Sequence, residues 1–328
     1  MTSRLRIATR AVVPALVLGL LVPRASSGQF PPDSLKNLEV LPADITPSEL
    51  IGVMRTFARG LGVRCQFCHV GEEGQPLSQF DFVSDEKAAK QKAREMIRMV
   101  REVNDRFLAD LPDRGDPPVA VTCTTCHRGV SRPRMVEDIL LEAYADGAFD
   151  GMMEQYRTLH DRHFGGFAYD FSDRMMVGVA GALEAAGQSP DALRALAFNL
   201  EQYPNSFFTQ LSYANLALER AVVDGGAAGL RKTHTELVAR FPARVFPENL
   251  LNQIGYRLLR GGDVASATET FLLNAQLFPN SANAFDSLGE AYATAGDRRR
   301  AVESYERSLT LNPDNANAKE RLSRLRQP

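Results

Sequence analysis

The chain of 328 residues is 44% hydrophobic and 24% charged, an ordinary composition for a soluble protein long enough to form two domains. Its formal net charge is only −2, so bulk electrostatics gives no reason to expect binding to nucleic acid or to an anionic membrane.

Residues 1–27 resemble a secretory signal peptide. Three arginines precede an apolar run over residues 11–22, and small residues follow at 25–27. The run is short for a bilayer span and Pro14 interrupts it, which favours cleavage near Ser27 or Gly28 over a permanent anchor. We therefore expect a periplasmic or extracellular protein without a stable membrane span after cleavage.

A first amphipathic helix is predicted to begin at Pro47, because Thr46 and Glu49 form a capping-box pattern around it. Its apolar face contains Leu50, Val53, Met54, Phe57 and Leu61. Gly60 and Gly62 are expected to end the helix and turn the chain toward a Cys-x-x-Cys-His motif made of Cys65, Cys68 and His69.

A second unit repeats this plan. The residues Ser84-Asp85-Glu86 are expected to start a helix whose apolar stripe includes Ala89, Ala93, Met96, Ile97, Val100, Val103 and Phe107. A loop rich in proline, glycine and charge then leads to a second motif, Cys123, Cys126 and His127. The two motifs lie 58 residues apart and use every cysteine of the chain.

Cys-x-x-Cys-His is the attachment pattern of haem c, so two covalently bound haems are predicted. The two thiols lie one helical turn apart and can bond to neighbouring vinyl groups, while the adjacent imidazole reaches the iron. A four-thiolate zinc site is the main alternative, but it leaves both motif histidines without a role. A thioredoxin-like redox site would need a preceding strand, and none is predicted here.

Methionines on the two predicted helices are candidate axial ligands on the other side of each iron. Met54 is the only methionine near the first motif, whereas Met96 and Met99 both lie near the second stripe and helical spacing does not choose between them. Methionine in an apolar stripe can also simply fill the core. Outside the motifs, His160 or His163 would be the ligand of a bis-histidine haem, and His234 is expected on a solvated helix face.

This half of the chain resembles the cytochrome c subunit of photosynthetic reaction centres, in a two-haem variant. The resemblance is carried by Leu38–Pro42, Cys65–His69, Asp81-Phe82, Asp85–Lys87, Ala93–Val100 with Asn104, and Thr122–Gly129. It implies helix, turn and motif units in which Met54 and Met96 occupy the ligand positions, and it thereby favours Met96 over Met99. The chain has two such units, fewer than the family's well-known members.

The C-terminal region repeats with a period of 34 residues, which predicts stacked helix pairs of the tetratricopeptide type. The matching positions include Gly255 with Gly289, Ala267 with Ala301, Phe271 with Tyr305 and Pro279 with Pro313. Two degenerate units ending at Pro204 and Pro242 bring the expected number to about four, followed by a capping helix with Leu322 and Leu325.

The predicted fold class is therefore all-α. We expect a dihaem cytochrome domain at 34–135, a helical connector at 136–171 and a tetratricopeptide-like solenoid at 172–328. Methionine and histidine together saturate an iron, so the predicted function is electron transfer without catalysis, with the repeats docking a redox partner or a second copy. The alternatives are a dihaem peroxidase-like enzyme with one open iron, and a repeat scaffold with structural or sensory haems.

Overall fold

The computed structural model describes Phe30 and residues 34–327, and the predicted signal peptide lies outside these residues. The described residues form helices and loops, with a single isolated antiparallel bridge between Val70 and Asp81. The chain divides after Arg132 into two compact units, each described here by itself. The all-α class is confirmed.

The described part of the N-terminal unit contains three α-helices. They are α1 (Pro47–Leu61), α2 (Ala88–Glu102), which continues in one wider turn over Val103–Phe107, and α3 (Cys123–His127). Helix α1 begins as predicted, because Thr46 Oγ1 accepts a hydrogen bond from the Glu49 amide at 3.3 Å and the Glu49 carboxylate accepts one from the Thr46 amide at 2.9 Å. It ends at Gly62, whose φ of 64° reverses the chain.

The predicted start of α2 at Ser84 is wrong, since the helix begins at Ala88. Asp85 does not cap the helix by its side chain. Its carboxylate instead accepts hydrogen bonds from Lys90 at 2.9 Å and Arg94 at 3.0 Å, two residues inside the helix. The side chains of Lys90 and Arg94 therefore bind the segment that precedes α2.

The C-terminal unit contains nine of the helices that the structure describes. They are α4 (Val136–His163), α5 (Met175–Ala185), α6 (Ser189–Gln202), α7 (Phe207–Arg240), α8 (Glu248–Arg260), α9 (Val264–Leu277), α10 (Ala282–Thr294), α11 (Arg298–Leu311) and α12 (Ala316–Arg326). Gly147 and Ala148 interrupt α4, and Gly226, with φ 57°, divides α7 into two parts. With α7 counted as a pair, α5 to α11 form the four expected helix pairs, and α12 follows as the cap with Leu322 buried.

The 34-residue period has a direct packing cause. A Cβ placed on Gly255 would lie 2.6 Å from the ring of Phe271, and one on Gly289 would lie 2.9 Å from the ring of Tyr305. Both rings are fully buried. In the pairs α8–α9 and α10–α11, glycine on the first helix thus makes room for an aromatic ring on the second. The same contact therefore recurs one repeat later.

The segment between the predicted domains packs with the first repeat helices. Apolar side chains of α4, among them Leu140, Met152 and Tyr156, share one buried cluster with those of α5 and α6. The aromatic segment after α4 has Phe171 in the same cluster, whereas the side chain of Phe167 is 89% exposed. In the part of the chain that is described, no helix has the length and hydropathy needed to cross a membrane.

Candidate haem-binding sites

The first motif begins with a short helical turn, Cys65–Phe67, between α1 and the loop that leads to α2. The amide of His69 donates a hydrogen bond to the carbonyl of Cys65 at 2.9 Å, which closes one helical turn and places the two thiols on it. Lys87, just before α2, donates to the carbonyl of Gln66 inside the motif at 2.9 Å. The ring of Phe82 meets the imidazole of His69 edge to face, with centroids 4.9 Å apart.

The second motif forms helix α3 and is anchored to both longer helices. The side chain of Asn104, in the last turn of α2, exchanges two hydrogen bonds with the backbone of Val121, at 2.8 and 2.7 Å. Gly60, near the end of α1, packs against Cys123, and its carbonyl accepts from the amide of Gly129 at 2.9 Å. Two residues that sequence analysis left without a role in the site, Gly60 and Val121, thus fix the position of this motif.

The two motif histidines fit the role of iron ligands in different ways. In His127, Nδ1 lies 2.9 Å from the carbonyl oxygen of Val130. Donation of its proton there leaves Nε2 as the free, unprotonated nitrogen that a metal requires. In His69, Nδ1 is buried and has no hydrogen-bond partner among the described residues. Both donor sets therefore fit haem c, each with two thiols and one imidazole.

The helix faces beside the motifs are apolar and only partly covered. Successive residues turn by about 100° around an α-helix, which places Met54 on the apolar side of α1, between Leu61 and Ala58. The apolar side chains of that face are half-buried. On α2, Met96 is 42% exposed and Met99 47% exposed. In the described part of the N-terminal unit, Val40 is the only buried hydrophobic residue, so these faces offer contact area to a flat apolar macrocycle.

Two buried cations lie next to the first motif, and the sequence analysis missed them. Lys90 and Arg94 are 8% and 5% exposed. Burial, followed by the charge of Lys90, lowers the pKa of His69, and Arg94 adds to the effect. Hydrogen bonds from Arg94 and then Lys90 hold the pKa of Asp85 far below its usual value. The local sequence gives no signal of this burial, because an amphipathic pattern assigns two basic residues at i and i+4 to solvent.

The cysteines have the environment of attachment residues at a partly covered surface. The structure holds them as four free thiols, Cys65 and Cys126 exposed and Cys68 and Cys123 half-buried. Burial is the largest cause that raises the pKa of Cys68 and of Cys123. A raised thiol pKa keeps the sulfur protonated near neutral pH.

The remaining histidines belong to the C-terminal unit and pack against aromatic rings there. His160 stacks on Phe164 with centroids 4.3 Å apart, and His163 meets Tyr169 at 5.0 Å. His234 contacts Phe246 at 5.6 Å. Burial lowers the pKa of His163 and of His234. These contacts give the three side chains a packing role.

An all-helical unit that carries two Cys-x-x-Cys-His motifs defines the class of this part of the chain as a c-type cytochrome, whose haem is bound covalently. Residues 22–139 match the family model of the photosynthetic reaction centre cytochrome C subunit. This match confirms, for this part of the chain, the resemblance seen in the sequence.

Two characterised relatives show how far this similarity extends. Cytochrome c-554 of Chloroflexus aurantiacus is 37% identical over 93 residues, which cover 28% of this chain and 20% of that protein. The photosynthetic reaction center cytochrome c subunit of Rubrivivax gelatinosus is 33% identical over 102 residues, or 28% of this chain and 26% of the relative. The chain thus matches about a fifth to a quarter of the length of these relatives.

Solved structures with some likeness to the chain are repeat proteins. MamA from Desulfovibrio magneticus RS-1 is 15% identical, covers 48% of this chain and 84% of its own, and has a TM-score of 0.29. YrrB, a TPR protein, is 16% identical, covers 56% and 83%, and has a TM-score of 0.28. The tetratricopeptide-like class of the C-terminal unit rests instead on the 34-residue period and on the helix pairs described above.

Proposed function

We propose that the protein is an exported dihaem c-type cytochrome that transfers electrons. Thioether bonds from Cys65 and Cys68 would hold one haem, and those from Cys123 and Cys126 the other. When bound, haem supplies an iron that exchanges one electron between its ferrous and ferric states. The observation that carries this proposal is the presence of two complete attachment motifs, each next to an amphipathic helix with methionine on its apolar face.

The axial ligands proposed are His69 with Met54 and His127 with Met96. Met54 lies on the apolar side of α1, between Leu61 and Ala58 around the helix. On α2, Met96 lies between Val100 and Val103 around the helix, whereas Met99 lies about 60° away, beyond Lys92. The position of Met96 nearer the middle of the stripe supports it over Met99, in agreement with the family resemblance.

A carrier fits these ligands better than an enzyme does. Two protein side chains on each iron leave no coordination position for a substrate. The residues of this chain then have the tasks of orienting the imidazoles and excluding water. The carbonyl of Val130 orients the imidazole of His127. The ring of Phe82 packs against His69, where it both orients the imidazole and excludes water.

We further propose that the repeat unit docks a redox partner or a second copy. The first helices of successive pairs are joined side by side through polar contacts. Arg257 on α8 reaches Glu219 on α7 at 3.0 Å, Tyr256 reaches Glu290 on α10 at 3.0 Å, and Asp286 accepts from Asn317 on α12 at 2.8 Å. This row of helices presents one extended polar surface, as expected for a protein-binding solenoid.

The haem proposal is tested on purified mature protein by mass spectrometry and near-infrared absorption. Two covalently attached porphyrins and a charge-transfer band from methionine to ferric iron are expected. Met54→Ala and Met96→Ala should each remove about half of the band, and Met99→Ala is the matched control that should retain it. A mass without two porphyrins, or loss of the band in Met99→Ala alone, would contradict the assignment.

The docking proposal is tested by oxidation of the reduced protein in two mixtures. A periplasmic extract of the source organism supplies protein acceptors, and ferricyanide supplies a small acceptor that needs no docking. Glu290→Lys should slow oxidation by the extract and leave oxidation by ferricyanide unchanged. Equal rates for the variant and the wild type in both mixtures would show that this surface does not serve docking.

A further inference from the structure

The environments of the two motif histidines differ in a way that bears on the reduction potential at each site. His127 has a backbone acceptor, the carbonyl of Val130, at 2.9 Å from Nδ1. Such a hydrogen bond makes an imidazole a more basic ligand, which stabilises the oxidised iron. Nδ1 of His69 is buried and forms no hydrogen bond of ordinary geometry with the described residues, and its ring has only a weaker contact with the backbone of Phe82. This difference alone favours the reduced state at the first site.

Lys90 provides a second and independent difference. Its ammonium group is enclosed by three backbone carbonyls of the loop before α2, those of Phe82, Val83 and Ser84, at 3.0, 3.0 and 2.8 Å. The ring of Phe82 is the one that packs on His69. Lys90 thus fixes the loop that supports the first imidazole and places a poorly solvated positive charge behind it.

The counter-charges lie nearer to solvent than the cations. Arg94 is paired with Glu39 and Asp85, each at 3.0 Å, and the side chains of these carboxylates are 48% and 36% exposed, compared with 6% for Arg94. Water screens the exposed members of such pairs more than the buried ones. Lys90 is likewise paired with Asp85, at 2.9 Å, so both buried cations have counter-charges that lie partly in water. The field that this arrangement leaves on its buried side, near the loop that supports His69, is therefore positive.

We propose that the two haems differ in reduction potential, that the haem on Cys65 and Cys68 has the higher one, and that Lys90 is a residue that sets the difference. A positive field favours the iron state with one more electron, and the hydrogen bond at His127 acts in the opposite direction at the second site. The proposal rests on the dihaem function proposed above. It implies that an electron entering at the second site moves to the first.

The test is a spectroelectrochemical titration of the holoprotein, resolved into two one-electron steps. Lys90→Gln should lower the upper step by more than it lowers the lower one. We expect the equilibrium constant for reduction of the haem of the upper step to change roughly tenfold, the effect of one poorly screened charge at an effective dielectric constant of about 20. A tenfold change corresponds to a shift of about 59 mV in the potential of a one-electron couple. Arg101→Gln on the same helix, at an exposed position on the side away from Met96, is the control and should move neither step.

Asp85→Asn separates the field from a merely structural effect. It removes a negative charge beside Lys90 and Arg94, so the upper step should rise, opposite to its shift in Lys90→Gln. Lys90→Arg keeps the charge and should retain the wild-type potential. Coincident steps in the wild type, a shift of the lower step as large as that of the upper one in Lys90→Gln, or shifts of equal sign in Lys90→Gln and Asp85→Asn would overturn the proposal.

The porphyrin count by mass keeps this test distinct from that of the proposed function. A protein with fewer than two attached haems refutes the dihaem function itself, whereas two haems with the wrong order or wrong response refute only the role of Lys90. If Lys90→Gln does not retain both haems, the wild-type titration and the Asp85→Asn shift decide the question.

Discussion

The contact between Gly289 and Tyr305 gives a sharp test of the repeat packing. In Gly289→Ala, the new Cβ would lie 2.9 Å from two carbons of a ring that is fully buried and has no room to withdraw. Overpacking of a dense core costs about 1–3 kcal/mol, while alanine gains about 1 kcal/mol over glycine in a helix. We expect a net loss of up to about 2 kcal/mol in the free energy of unfolding of the repeat unit.

The same substitution elsewhere provides the comparison. Gly181 lies in α5, where a Cβ would have no neighbour within 4 Å, so Gly181→Ala should gain up to about 1 kcal/mol from helix propensity alone. Gly255→Ala, with a closer approach of 2.6 Å to Phe271, should lose more than Gly289→Ala. Urea denaturation followed by far-ultraviolet circular dichroism measures all three. A Gly289→Ala protein as stable as Gly181→Ala would show that the ring does not depend on the glycine.

Three further substitutions probe the N-terminal unit. Thr46→Ala removes the cap of α1 and should cost about 1 kcal/mol, measured by thermal denaturation, with Thr56→Ala on the exposed face of the same helix as the comparison. Asn104→Ala breaks both hydrogen bonds to Val121 and should cost about 1–3 kcal/mol and accelerate amide exchange at Val121; unchanged exchange would contradict the anchoring role. Because the pKa of Asp85 is lowered in the folded state, its contribution to stability is present above its unfolded pKa and is lost as the pH falls from about 4 toward the lower folded value. Acid titration of Asp85→Asn should therefore show a shallower loss of stability below about pH 4.

Local sequence patterns predicted the features whose cause is local. The start of α1 followed from Thr46 and Glu49, which form the cap within four residues. The repeat pairs followed from a glycine and a ring whose spacing recurs after 34 residues.

The features that sequence analysis missed depend on contacts between distant segments. Arg94 is buried because Asn37 and Glu39, more than fifty residues earlier, supply its acceptors. Lys90 is buried because three carbonyls of a loop converge on it. Neither arrangement has a periodicity, and an amphipathic pattern assigns basic side chains to solvent. The start of α2 was predicted too early for the same reason, because Asp85 binds these two cations and does not cap the helix.

The packing of the N-terminal unit leads to a last prediction, on removal of the haems. Helices α1 and α2 have 15 residues each, a length at which an isolated helix is marginal in water. Apart from Val40, the described hydrophobic residues of this unit are half-buried or exposed, whereas the repeat unit has large buried clusters of its own.

Replacement of all four cysteines by alanine would abolish haem attachment and leave the chain otherwise intact. We expect the amides of α1 and α2 to exchange rapidly with solvent in this variant, while those of α8 to α11 keep their protection, as measured by hydrogen exchange and mass spectrometry. Thr124→Ala and Thr125→Ala together, in the same motif but with both thiols retained, serve as the control. Equal protection of α1 and α2 in the cysteine-free and wild-type proteins would show that the polar contacts of Lys90, Arg94 and Asn104 hold the unit without a haem.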